Sequence, residues 1–149
     1  MKKIFLMSSL VLLFFANTTS AQDLKQSQVP SLIVNSFQKT FPKAYEVEWE
    51  LKGENYKVEF ETGLLGKDHE VWYSKTGKLI RHKKEISKSD LPQKVLAKVK
   101  KDFHLYRIDD VEEIIQDNNT IYKIELKSSS NDWKVMIDKK GNVLSKVLD

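Results

Sequence analysis

The chain has 149 residues, no cysteine and a formal net charge of +4. Without cysteine there is no disulfide framework, thiolate metal site, thiol nucleophile or lipid-modified cysteine. Hydrophobic residues at 40% and charged residues at 31% exclude wholesale disorder and fit one domain, or two small ones.

Lys2 and Lys3 open the chain, the apolar run Ile4–Ala16 follows, and Asn17-Thr18-Thr19-Ser20-Ala21 adds small residues. This layout reads as a secretory signal peptide over residues 1–21, cleaved after Ala21. The apolar run is shorter than the about 20 residues a spanning helix needs. No later stretch is more apolar, so no stable membrane insertion is expected. Cleavage takes two lysines and no acid, so 149 less 21 residues leaves 128 with a net charge of +2. The expected location is the periplasm or the outside of the cell. A surface so nearly balanced in charge does not point to nucleic acid.

From residue 28 the sequence repeats. Val29-Pro30 matches Leu91-Pro92 at an offset of 62, as do Ile33 and Val95, Phe37 and Val99, Phe41 and Phe103. Apolar residues every fourth position after a proline make one stripe on a helix. The proline suits a first turn, where its missing N–H costs nothing. Pro42 closes the first helix, and the second has no matching proline.

The period then falls to two. Tyr45, Val47, Trp49 and Leu51 alternate with glutamates, and Tyr56, Val58 and Phe60 alternate with Lys57, Glu59 and Glu61. Tyr122, Ile124 and Leu126 repeat the second of these strands. His69–Tyr73 and Trp133–Ile137 form a third pair, each followed by a turn ending in Gly77 or Gly141 and a short fourth strand. Alternation of this kind marks strands with one buried and one open face. Short turns force an antiparallel order.

The expected fold class is therefore α+β. Two helix-plus-four-strand repeats, 28–86 and 90–149, form one domain over 22–149, with Ser87–Asp90 leading into the second helix. They are expected to share one antiparallel sheet of about eight strands, with both helices on one face and one shared core. Ile108–Ile115 breaks its alternation at Ile114-Ile115, where a bulge is expected.

Pro30, Ile33, Phe37, Phe41 and Pro42, then Val47 and Trp49, then Tyr56, Val58 and Phe60, then Gly77 make a pattern that resembles the exported PepSY-like proteins. These are related in fold to the beta-lactamase inhibitor protein. The resemblance covers nearly all of residues 28–149 in two copies; the second lacks equivalents of Pro42 and Trp49. It implies a tandem-repeat fold with a free sheet face. It also implies a role in binding or restraining other envelope proteins, and it brings no catalytic motif.

The residues supply little other chemistry. His69, His82 and His104 show no metal-ligand spacing such as H-E-x-x-H, so no metal is expected. His69 aligns with Trp133, which places it at the edge of the core. No Gly-x-Ser-x-Gly, phosphate loop or dinucleotide fingerprint occurs, and no cofactor is expected. Glu46, Glu48, Glu50, Glu59 and Glu61 could gather carboxylates on the open face, and a pair about 5–9 Å apart is what glycoside hydrolysis needs. The ordinary alternative is a solvated face with Glu–Lys pairs through Lys57. Asp109, Asp110, Glu112 and Glu113 form a second acidic group that does not match an EF-hand.

The partner-binding candidates are seven open-face or hairpin side chains. Trp72 and Met136 point to the open face when Val71 and Tyr73 point inward. Leu64 and Leu65 tip a hairpin at 63–66, free to dock on a partner or to fold back onto the sheet. Glu48, Lys57 and Glu59 share the open face. Aromatic residues and Met are enriched at interfaces. The leading reading is a non-enzymatic binding module for an envelope protein or peptide, a monomer or weak dimer, acting as an inhibitor or regulator. The alternatives are a hydrolase of envelope polymers using paired glutamates, and a binder of a small ligand or anionic polymer through basic clusters such as Arg81–Lys84.

Overall fold

The computed structural model describes residues 21–149. The leader read in residues 1–21 lies outside them except for Ala21, which opens the first strand. Strand β1 (Ala21–Leu24) leads through a 3-10 turn to helix α1 (Ser31–Thr40). Strands β2 (Tyr45–Lys52), β3 (Asn55–Thr62), β4 (Lys67–Tyr73) and β5 (Leu79–Glu85) follow. The second repeat holds α2 (Gln93–Asp102), β6 (Arg107–Gln116), β7 (Asn119–Lys127), β8 (Asp132–Asp138) and β9 (Val143–Leu148). Among the described residues nine strands pair antiparallel in sequence order in one sheet, with both helices on one side. The strand beyond the expected eight is β1, which covers the outer edge of β2.

The helices form where the stripe demands. Each starts after its proline, Pro30 or Pro92, and ends at a phenylalanine. The N–H of Phe41 donates to the Phe37 carbonyl and that of Phe103 to the Val99 carbonyl, both at 2.8 Å. Ile33 and Phe37 of α1, and Val95 and Val99 of α2, are buried against the sheet. Burying one such side chain is worth about 1.5–3 kcal/mol. The glycine turns lock each repeat. Gly77 and Gly141 have φ of 77° and 93°. A Cβ would lie 3.1 Å from Leu32 Cγ at the first and 3.1 Å from the Lys94 carbonyl oxygen at the second. Leu32 and Lys94 occupy the same helical position, so each turn seats on its own helix and only glycine satisfies both constraints.

The sheet is continuous, but the core is divided. Ile33, Phe37, Trp49, Val58, Phe60, Val71 and Tyr73 cluster under α1. Val95, Val99, Val111, Ile124, Leu126, Val135 and Ile137 cluster under α2. The expected shared core is therefore two cores joined through β5 and β6. The seam between them is polar. On the helix side, His82 stands opposite Ile115, and Lys84 stands opposite Glu113 with an ion pair of 2.8 Å.

The irregularity expected at Ile114-Ile115 lies elsewhere. The β6–β7 register slips between Ile108 and Asp110 and runs regularly from there to Gln116. Ile115 shares a row with His82 and Val71 on the helix side, and Ile114 sits in the Lys83 row on the other. β2 slips between Tyr45 and Glu48, with Glu46 at φ 50°. Tyr45 thereby leaves the core that the alternation assigned it.

Candidate functional site

The face opposite the helices carries the polar half of each strand. Strand pairing sets Glu48, Glu59, Glu70 and Lys83 in one row across β2–β5. The neighbouring row holds Glu50, Lys57, Trp72, Arg81 and Gln116. A third runs from Glu85 through Glu112 and Lys123 to Met136.

Towards the end of the sheet that bears the 63–66 hairpin, this face sinks into a trough of about 600 Å³. Nine carboxylates line it: Glu46, Glu48, Glu59, Glu61, Asp68 and Glu70 from the first repeat, and Glu85, Asp110 and Glu112 around the junction. Among the described residues the single lining ammonium is Lys83, held by Glu70 at 3.2 Å and Glu112 at 3.4 Å. Among the described residues, Glu48, Glu85 and Asp110 make no ion pair.

Beside the trough the charges are matched. Lys57 is buried between Glu50 at 2.7 Å and Glu59 at 2.8 Å. Burial pulls its pKa down, but those two carboxylates outweigh burial and leave it raised. The Trp72 indole N–H donates to Glu70 Oε1 at 2.8 Å. Burial pushes Glu70 up, yet Trp72 and Lys83 leave it below the usual carboxylate range. Glu112 is lowered in the same way by Lys123 and Lys83 against its burial. A general acid for glycoside hydrolysis needs the opposite displacement.

The structure brings most of the partner-binding candidates together. Glu48 and Glu59 line the trough, while Lys57 and half-buried Trp72 flank it. Leu64 is fully exposed and Leu65 is 92% exposed on the rim, so neither folds back onto the sheet. The hairpin is held by the Tyr45 hydroxyl, which donates to the Gly63 carbonyl at 2.9 Å. Met136 faces the same side but stands apart, two strands beyond Glu112.

Two features escaped the sequence. The acidic groups at 46–61 and 109–113 merge, because β5–β6 pairing carries Asp110 and Glu112 to the trough. No local pattern fixes that register. His69 and His82 also meet: His69 Nδ1 lies 2.9 Å from His82 Nε2, and Thr62 Oγ1 lies 2.8 Å from His69 Nε2. Phe60 stacks on His69, and Phe41 packs edge-on to His82. The two imidazoles point at each other along one hydrogen bond, which leaves no room for a metal ion between them. Among the described residues no group of three or more His, Asp or Glu side chains is arranged to hold a metal. Among them, too, no helix is long and apolar enough to cross a membrane.

Comparison with known proteins gives a family and a fold. The family model described as "Putative beta-lactamase-inhibitor-like, PepSY-like" matches residues 17–81 and again 54–145. A solved structure of a BLIP-like protein from Bacteroides fragilis superposes with a TM-score of 0.65 at 20% identity, covering 79% of this chain and 84% of that one. One from Bacteroides eggerthii, described among "putative periplasmic proteins", gives 0.69 at 17% identity, covering 80% and 88%. A DUF2874 family protein from Bacteroides uniformis gives 0.67 at 14% identity, covering 80% and 88%. No curated protein matches the chain.

Proposed function

Since the chain belongs to the PepSY-like family, we propose that it is an exported, non-enzymatic binding module. It takes a Lys- or Arg-bearing segment of an envelope protein on its open sheet face and restrains that protein. The observation that carries this reading is the trough of about 600 Å³, lined by nine carboxylates against one committed lysine. Such a surface attracts and orients cationic chains. The exposed Leu64-Leu65 tip adds an apolar contact at the rim. Export is supported by the leader pattern and by the periplasmic description of a structural relative.

Hydrolysis by paired glutamates is less well supported, since Glu70 and Glu112 are held ionised. The deciding experiment is a titration of labelled cationic, neutral and anionic peptides, followed by fluorescence anisotropy. Cationic peptides bind, and the affinity falls as salt rises. The combined change Glu48→Gln, Glu85→Gln and Asp110→Asn weakens binding by roughly tenfold or more. Equal binding of all three peptide classes, or no loss in that variant, contradicts the reading. Turnover of glycans or peptides that is lost in Glu59→Gln establishes the hydrolase instead.

A further inference from the structure

The sheet has two margins. One is β1, which is four residues long and carries Gln22 and Asp23. The other is β9, hydrogen-bonded to β8 on one side.

The first repeat shows what this strand position does when it is covered. β5 and β9 are equivalent: each follows a glycine turn and pairs with the strand before it. Their registers slip at matching places, Trp72/Tyr73 and Met136/Ile137. The outer side of β5 carries β6. The outer side of β9 carries no strand among the described residues.

Composition follows this difference. β5 meets β6 with charge, including the Lys84–Glu113 pair at 2.8 Å. β9 reads Val-Leu-Ser-Lys-Val-Leu, and Leu144, Val147 and Leu148 are 53%, 60% and 55% exposed. Free edges are ordinarily guarded by a charge, a proline or a short length. The one charge in β9 is drawn to the helix side, where Lys146 Nζ sits 3.8 Å from the centre of the Trp133 ring and 5.2 Å from that of Phe103.

The backbone is also available. The Asp149 N–H donates to the Asp132 carbonyl at 3.0 Å. Antiparallel alternation then turns the N–H and C=O of Leu148 and Lys146 away from β8.

We propose that β9 is a homotypic docking edge, pairing antiparallel with β9 of a second copy about a two-fold axis at Val147. In that register Lys146 and Leu148 of one copy exchange backbone hydrogen bonds with Leu148 and Lys146 of the other. Val147 lies against its counterpart, and no like charges stand directly opposite. The polar β1 edge offers β9 no such match. Pairing β9 to β1 would also be head-to-tail and open-ended, whereas the two-fold contact closes. The contact lies on the far margin from the trough and leaves both partner sites of the dimer free.

Sedimentation velocity over a wide concentration range tests this. The protein passes from monomer to a discrete dimer as concentration rises. Val147→Lys, at an exposed position, sets like charges opposite and weakens association by roughly tenfold or more. Val147→Thr, which keeps strand propensity and adds no charge, retains the dimer. Hydrogen exchange slows at the Lys146 and Leu148 amides on association. A monomer at every concentration, a dimer indifferent to Val147→Lys, or growth beyond the dimer overturns the proposal.

Discussion

The histidine pair shows how one residue couples the repeats to solution conditions. His82 sits on β5 at the seam, facing Phe41 of the α1 terminus, His69 of β4, Lys84 of its own strand and Glu113 of β6. Burial, reinforced by His69 and Lys84 and opposed by Glu113, pushes its pKa down to about 4. The folded state therefore holds the neutral ring, whereas the unfolded chain protonates near pH about 6.5. A depressed folded pKa means that stability is complete above the unfolded value and is lost as pH falls from there towards about 4. Urea unfolding across that window shows the decline in the native protein and a flatter profile in His82→Gln. An unchanged slope in the variant refutes the assignment. No local pattern marks this pair, because His69 and His82 stand on different strands and meet only through the β4–β5 register.

At the scale of elements, regular period made most of the fold legible. The helices appear at an offset of 62 because four apolar residues per stripe have no other explanation. β1 was not legible, since Ala-Gln-Asp-Leu has no alternation to display. The β6 irregularity differs from the expected place for a physical reason. The slip falls at Asp109, so Ile108 and Val111 both reach the α2 core across an odd spacing, whereas the adjacent Ile114-Ile115 pair arises in regular strand because Ile114 faces the open side. The 63–66 hairpin was legible as an anomaly, and its exposure gives a prediction. Leu64→Ser with Leu65→Ser leaves stability within about 0.5 kcal/mol, since neither side chain is buried, yet weakens peptide binding. Thermal unfolding beside the binding titration checks both halves; loss of stability without loss of binding contradicts the docking role.

For the whole molecule, duplication supplies the surface. Each repeat closes its own core under its own helix, so the sheet between them need not be apolar. That freedom lets charge accumulate along the β5–β6 junction, where carboxylates from both repeats converge on Lys83. The glutamates of β2 and β3 were readable as an open polar face. Their union with Asp110 and Glu112 was not, because it depends on how one repeat docks on the other. On this reading the convergent face, and not the helix face, receives a cationic segment. Amide chemical-shift mapping with a Lys- and Arg-bearing peptide tests that placement. The expected shifts fall at Glu48, Glu59, Glu70 and Glu112 and at the Leu64-Leu65 tip, with α1 and α2 silent. Shifts confined to the helices, or none on the open face at saturating peptide, would contradict it.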